Sequence, residues 1–416
     1  VPHIAVLGAG ITGVTTAYAL SRRGFDVTVV ERHRYPAMET SFANGGQLSA
    51  SNAEVWNHWS TVLKGIKWML KSDAPLLMNP SPSWHKYSWM GEFMGNISGY
   101  RTNTVETTRL AIAARKHMFD IAEREGINFD LEKRGILHVY YDKPSFDHAS
   151  KVNALLTEGG LDRRPVTREE IKTVEPALVG DFHGGFFTPS DSTGDIHKFT
   201  RGLAEACAKR GVKFLFDAEI QSVKPGHTMK VYWKSAETPN SETNVLSVDG
   251  VVVCAGVGSR KIAGMLGDRI NVYPVKGYSI TVHLDDDRSQ RGAPWVSLLD
   301  DRAKIVTSRL GPDRFRVAGT AEFNGINRDI RHDRINPLVD WVRTLFPDVS
   351  TSRVVPWAGL RPMMPNMMPR VKTGSRPGVF YNTGHGHLGW TLSAATAEIV
   401  SELVEQKHKP SRSRAA

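Results

Sequence analysis

Cysteine is scarce. Cys207 and Cys254 are the only two in 416 residues, and no CxxC spacing joins them. That excludes a disulfide framework and argues against a thiolate metal site. Cys254 falls inside Val251-Val252-Val253-Cys254-Ala255, the setting of a small buried side chain. Such usage fits a reducing compartment. The 15 histidines show no HxxxH pair, so no metal is expected. No window of about 18 uninterrupted apolar residues exists, which excludes a transmembrane helix. No basic stretch leads into an apolar one at the N-terminus, and the chain enters its first strand at once. The expected location is therefore cytoplasmic. No internal repeat and no low-complexity run appear.

Apolar residues make up 40% of the chain and charged residues 23%, the balance of a folded protein long enough for more than one core. The formal net charge is +10. A basic balance favours anionic partners such as cofactor phosphates, carboxylates or an anionic membrane. The charge is dispersed, with no basic stripe interleaved with aromatics, so nucleic acid is not expected. Part of the excess lies between Lys407 and Arg414, read as a solvated tail over 406–416.

The first 31 residues carry the firmest signal. Ile4-Ala5-Val6-Leu7 suits a parallel strand buried on both faces. Gly8-Ala9-Gly10-Ile11-Thr12-Gly13 follows, then a helix from Val14 to Arg23 closed by Gly24. Phe25 to Val30 is a second strand, ended by Glu31. Gly8 permits the tight turn, Gly10 lets a pyrophosphate approach the backbone, and Gly13 lets helix and strand pack closely. The helix N-terminus offers N–H groups and a positive dipole end. Glu31 suits a ribose diol and repels a 2′-phosphate, although Arg32 and Arg34 stand beside it. The order of strand, glycines, helix, strand and acid predicts dinucleotide binding.

That unit serves NAD and FAD equally. A second feature separates them. Gly378 to Gly384 reads as a strand entering a turn, continued by His385-Gly386-His387-Leu388-Gly389-Trp390-Thr391 and a helix over Leu392–Gln406. A glycine-rich turn before a helix gathers N–H donors, which a reduced flavin needs at its anionic edge. Asp249 to Gly258 supplies a third unit, a buried strand ending at Gly256 beside the nucleotide sheet.

With these pieces, the chain resembles the D-amino acid oxidase superfamily of flavoproteins, in particular its bacterial dehydrogenase branch. The resemblance runs from residue 3 to about 405 and is carried by residues 4–18, Glu39 to Ser49, and Asn382 to Thr391. Further stretches are Lys64 to Met69, Val174 to Leu178, Pro189 to Phe199, Tyr273 to Ser279 and Trp357 to Met363. It implies noncovalent FAD, oxidative deamination of a D-amino acid, and electrons passed to a quinone or other acceptor. It also places Ser41, Asn44, Gly45 and Gln47 beside the flavin. One departure stands out. The family's Thr-Pro-Asp-Gly type of turn is replaced by Met364-Pro365-Asn366-Met367-Met368-Pro369-Arg370, which alters the loop expected near the ring.

The expected architecture is α/β: an FAD-binding Rossmann-like domain with an interleaved α+β substrate or cap domain. The first comprises 1–50, 180–265 and 370–405; the second comprises 51–180 and 266–369. The substrate would lie between them. Oxidation at a flavin needs an anchored carboxylate, a deprotonated amine and a dry site. Arg361, in the Gly-x-Arg-Pro pattern, is the expected anchor, since guanidinium grips a carboxylate with two parallel hydrogen bonds. Tyr278 is the second candidate, a phenol within reach of carboxylate or amine; packing within an alternating strand is its competing reading. Gly8, Ala9, Gly10, Ile11, Thr12, Gly13, Glu31, Arg32, Gly256, Gly384, His385, Leu388, Gly389, Trp390 and Thr391 complete the expected cofactor contacts.

Trp56 to Met94, with its tryptophans and lysines, suits a segment lying peripherally on the cytoplasmic face of an anionic membrane; packing of the cap is the alternative. Two functional alternatives remain open. One is a flavoenzyme of secondary amines such as sarcosine, proline or hydroxyproline. The other is a flavin-binding subunit of a hetero-oligomer without activity of its own.

Overall fold

The computed structural model describes residues 1–69 and 71–408, so most of the basic tail expected over 406–416 lies outside them. One half of the protein is built on a six-stranded sheet. Ile4 and Val6 point into one core while Ala5 and Leu7 point into another, all fully buried. This two-faced burial is what an uninterrupted apolar run requires. His3–Leu7 is flanked in parallel by Asp26–Val30 and Gly250–Val253. Lys213–Leu215 extends the sheet beyond the former, and Val379–Thr383 beyond the latter. Arg370–Thr373 closes that edge antiparallel.

One face of this six-stranded sheet is covered by helices Ile11–Arg22, Ile196–Lys209 and Gly389–His408, through Val14, Tyr18, Phe199, Leu203, Trp390 and Val400. The other carries a three-stranded antiparallel sheet of Ala218–Lys224, Met229–Ser235 and Asn244–Val248, with helix Ser259–Met265. The first helix begins at Ile11, three residues earlier than the apolar periodicity indicates. The last begins at Gly389 and starts directly from the glycine-rich turn.

A nine-stranded mixed sheet forms the second half. Next to its edge strand Val354–Met363 lies the long strand Tyr273–His283, paired antiparallel with that edge and with Arg314–Phe323 on its other side. Helix His332–Leu345 packs beneath it through Ile335, Leu338, Trp341 and Val342. The region 51–180 is more than helical: Ile136–Tyr140, Arg164–Val166 and Leu76–Met78 all join this sheet. Gly184–Thr188 pairs with Ile136–Tyr140, so the start of the segment expected over 180–265 belongs to the large sheet. The nucleotide-binding side resumes at helix Ile196–Lys209, where the Asp195 carboxylate accepts from the His197 and Lys198 amides and caps the helix. Between the halves, Gln47–Leu48 pairs with Ser192–Thr193.

Candidate active site

The glycines of the first turn sort by what their neighbours demand. Gly8 sits at φ +113, and an added Cβ would run into the Cys254 carbonyl. A Cβ on Gly13 would strike the Gly8 carbonyl oxygen. Both are fixed by the turn itself. Gly10 differs: an added Cβ would meet only the Ser41 hydroxyl, at 3.3 Å. Nothing in the protein's own packing requires a glycine there, whereas the close approach of a pyrophosphate does. The residues present therefore fit a dinucleotide. No acidic residue stands in the helix's first turn, so its N-terminus stays favourable to phosphate.

Glu31 is already oriented. Its carboxylate accepts from the Ala9 amide at 2.8 Å and the His33 amide at 2.9 Å. Arg32 pairs with Glu39 and Arg34 with Glu237, so both neighbouring cations have acid partners of their own and neither pairs with Glu31. Burial raises the Glu39 pKa. The His33 hydrogen bond and the charges of Arg32 and Arg328 outweigh it and hold the carboxyl at about 2.

A cavity of about 1150 Å³ runs from this turn to the large sheet. Gly8, Gly10, Ile11, Thr12, Glu31, Arg32, Ser41, Asn44, Gly45, Gln47, Gly256, Gly384, His385, Gly389 and Trp390 border it. Four expected contacts do not. Ala9 is buried and gives its amide to Glu31, and Gly13 is closed off by helix–strand packing. Leu388 faces the core formed with Leu392 and Leu156. Thr391 accepts from the Ser49 amide at 3.2 Å and so holds the wall segment from behind. The two cysteines are buried, which pushes their thiols up to about 12 and leaves them unreactive.

Arg361 closes the far end. Strand Val354–Met363 sets it opposite Val275 on Tyr273–His283. Its guanidinium lies over Gly277, where an added Cβ would stand 2.5 Å from Cζ and 2.7 Å from Nη1. Nη1 donates to the Thr320 carbonyl at 2.9 Å. Thr320 belongs to a bulge in the pairing with Arg314–Phe323 and sits at φ +66, an unusual conformation for a β-branched residue. Among the described residues, no carboxylate lies within ion-pair distance of Arg361, and burial alone lowers its pKa to about 10. A desolvated guanidinium bordering a cavity without an acid partner is a site for an incoming anion.

Tyr278 borders the cavity as well, but its phenol oxygen is engaged by the protein. Its hydroxyl donates to Glu322 at 3.0 Å, and its ring is packed with Ile280 and Val282 in the core beneath the sheet. Buried Lys276 and Arg334 crowd the same carboxylate at 3.4 and 3.8 Å. The hydroxyl is thus committed below the sheet, while Gly277 and Ser279 face the nucleotide-binding half; Ser279 donates to the Ala43 carbonyl at 2.7 Å. An isolated glycine inside a strand signals close approach, and Gly277 was the readable clue.

The histidines of the C-terminal turn divide. His385 bonds the Thr396 hydroxyl at 2.9 Å through Nε2, and burial holds it at about 4. His387 stacks on Trp56, centroids 5.0 Å apart at 20°, and donates from Nε2 to the Asn52 carbonyl at 3.3 Å. Burial, then the charge of Arg361, lowers it to about 4 as well. The Met364–Arg370 loop turns away from the cavity. Met367 takes φ +61, Asn366 accepts from the Met368 amide at 3.1 Å, and Asn57 donates to Pro365 at 2.8 Å. None of its residues borders the cavity, although Met364 packs against the wall residue Gly384.

Within Trp56–Met94 the residues separate too. Trp56 turns inward; Lys86 and Trp89 are buried, Lys86 donating to the Asn79 and Ser81 carbonyls and Trp89 to that of Met363. Helix Trp59–Trp68 buries no residue: its inner side borders the cavity, and Trp59, Leu63 and Ile66 are each more than half exposed.

A family model described as FAD dependent oxidoreductase matches residues 3–403. The chain is 68% identical over 403 residues to "D-amino acid dehydrogenase 3" of Mesorhizobium japonicum, covering 97% of each. It is 41% identical to "D-amino acid dehydrogenase" of Paramagnetospirillum magneticum, covering 96% of this chain and 94% of that one. Among solved structures, glycine oxidase from Geobacillus kaustophilus superposes with a TM-score of 0.77 at 19% identity, over 99% of this chain and 96% of the other. L-proline dehydrogenase from P. horikoshii gives 0.75 at 16% identity, over 98% and 94%. At those identities the two structures speak for the fold alone.

Proposed function

This chain belongs to the FAD dependent oxidoreductase family, and from that premise we propose that it oxidises D-amino acids to 2-oxo acids and ammonia. The observation that carries the substrate class is Arg361: a buried cation bordering the cavity, with a backbone carbonyl as its hydrogen-bond partner and no acid partner among the described residues. FAD, once bound, supplies the acceptor for the Cα hydride. The chain's residues do the rest. Arg361 grips the carboxylate; Gly277 and the Thr320 carbonyl set the plane of its guanidinium. A carboxylate fixed at two points fixes the Cα–H direction, which is the main entropic demand of the step. The walls exclude water, so an amine entering the site is more easily held neutral. Loss of the hydride from the neutral amine leaves an iminium, which water then hydrolyses to the oxo acid and ammonium.

Anaerobic titration tests the reading. D-Alanine should bleach the flavin band near about 450 nm, and L-alanine should not. Bleaching by sarcosine or D-proline in preference to D-alanine would move the enzyme to secondary amines. A chain that binds FAD and bleaches with none of them is a non-catalytic subunit.

We also propose that helix Trp59–Trp68 rests on an anionic membrane and that a quinone receives the electrons there. Its outer apolar residues are exposed among the described residues, Lys64 and Lys67 stand among them, and its inner side borders the cavity. No described helix is long and apolar enough to cross a membrane. Sedimentation with anionic vesicles should carry the protein down, and Trp59→Ala with Leu63→Ala should abolish it. Equal recovery of wild type and variant in the supernatant would remove the proposal.

A further inference from the structure

Gly277 and Gly359 face each other across the strands Tyr273–His283 and Val354–Met363. A side chain lies over each of them. A Cβ added to Gly277 would stand 2.5 Å from Cζ of Arg361. One added to Gly359 would stand 2.2 Å from Cη2 of Trp357, with Cζ2 and Cζ3 at 2.8 and 2.9 Å. Gly359 has no positive φ, so its missing side chain makes room for the indole and answers no demand of the strand. Facing residues on antiparallel strands project to the same side, with their Cβ positions about 5 Å apart. The far edge of the indole therefore lies next to the guanidinium, and the floor of the site passes from cation to aromatic carbon. Trp357 and Arg361, four residues apart on one strand, share its face. Both border the cavity, and the indole is only partly buried, so a ligand held on the arginine can reach it. The α-substituent of such a ligand starts one bond beyond the carboxylate carbon, within range of that aromatic edge. Apolar surface laid there is stabilised by leaving water, whereas a charged group loses its hydration.

We propose that Trp357 is a specificity-determining residue: the side chain of the amino acid packs against its indole, so that apolar side chains longer than a methyl group are favoured. The inference rests on the D-amino acid reading above. It divides the floor between Arg361, which recognises what all substrates share, and Trp357, which recognises what distinguishes them.

The test uses the FAD-loaded protein with D-alanine and D-methionine, read as the ratio of their kcat/KM values. In Trp357→Ala, D-methionine should lose at least about fivefold relative to D-alanine, slightly more than one buried methylene is worth. Trp357→Phe, which keeps a ring, should recover part of that loss. Gly359→Ala, whose methyl displaces the indole, should lower the same ratio with Trp357 still in place, and it carries the comparison should Trp357→Ala fail to hold FAD. An unchanged ratio overturns the inference. So does a higher one, which would make the indole a barrier to longer side chains, and so does an equal loss for both substrates, the sign of an indole that only supports Arg361 or the flavin. If neither amino acid reduces the wild-type flavin, the D-amino acid reading itself has failed, a result distinct from an active wild type whose ratio the variants leave alone.

Discussion

The guanidinium of Arg361 lies flat over the α-carbon of Gly277, so closely that a methyl group added there would stand 2.5 Å from Cζ and 2.7 Å from Nη1. The backbone at Gly277 is ordinary extended strand, with no positive φ. The missing side chain therefore serves the arginine and not the strand. Gly277→Ala should displace the guanidinium while leaving the fold intact. KM for the amino acid should rise about tenfold or more, the scale of a displaced charged hydrogen bond, with FAD content and Tm nearly unchanged. Steady-state kinetics beside a thermal melt checks this; a variant with wild-type KM would show that the arginine's position does not matter.

Removing the anchor is the stronger perturbation. Arg361→Ala should cut kcat/KM at least about a hundredfold, roughly 3 kcal/mol for a lost bidentate charged contact. Arg361→Lys should recover only part, because an ammonium cannot reproduce the planar fork. An Ala variant with unchanged kcat/KM would remove Arg361 from the site.

At the other end of the cavity, Glu31 accepts from the Ala9 amide and borders the cavity where a ribose is expected. Glu31→Ala should weaken FAD about tenfold or more, through a lost charge-assisted hydrogen bond and a slackened turn. Fluorescence titration of the apoprotein with FAD measures it. Retention of wild-type affinity would mean that the ribose is held elsewhere.

His385 predicts a pH dependence of stability. Burial lowers its pKa to about 4, below the ordinary value of 6.5. The unfolded chain therefore binds a proton that the folded chain refuses between those values. Stability is fully present above about pH 6.5 and falls as the pH drops toward 4, by roughly 2 kcal/mol between pH 7 and 5 for this one group. Urea unfolding of wild type and His385→Gln at both pH values isolates the term. The variant should show the shallower decline; equal declines would count against it.

The first βαβ unit was legible because its determinants are local: an apolar run, glycines at fixed steps, and an acid at the end of the next strand. Arg361 was legible through its motif. What escaped depends on distant partners. The pattern around Tyr278 gives no sign of the bulge opposite Gly277, and the bulge is what joins Lys276 and Tyr278 to Glu322 below the sheet. The two histidines of one turn look alike in sequence, yet one meets Thr396 in the helix that follows the turn and the other meets Asn52, more than 300 residues earlier. Gly184–Thr188 was assigned to the wrong half because its pairing with Ile136–Tyr140 is written nowhere in its own composition.

The strand order of the nucleotide sheet has a consequence during synthesis. Val379–Thr383 flanks Gly250–Val253, and helix Gly389–His408 packs on the first helix, Ile11–Arg22. The glycine-rich turn expected to hold the dinucleotide is translated long before the elements that bury its back. A nascent or prematurely terminated chain carries the glycine signature without the site. Cofactor capture thus doubles as a check that translation has run through Gly389–His408, and fragments lacking that stretch should emerge as flavin-free clients of chaperones and proteases.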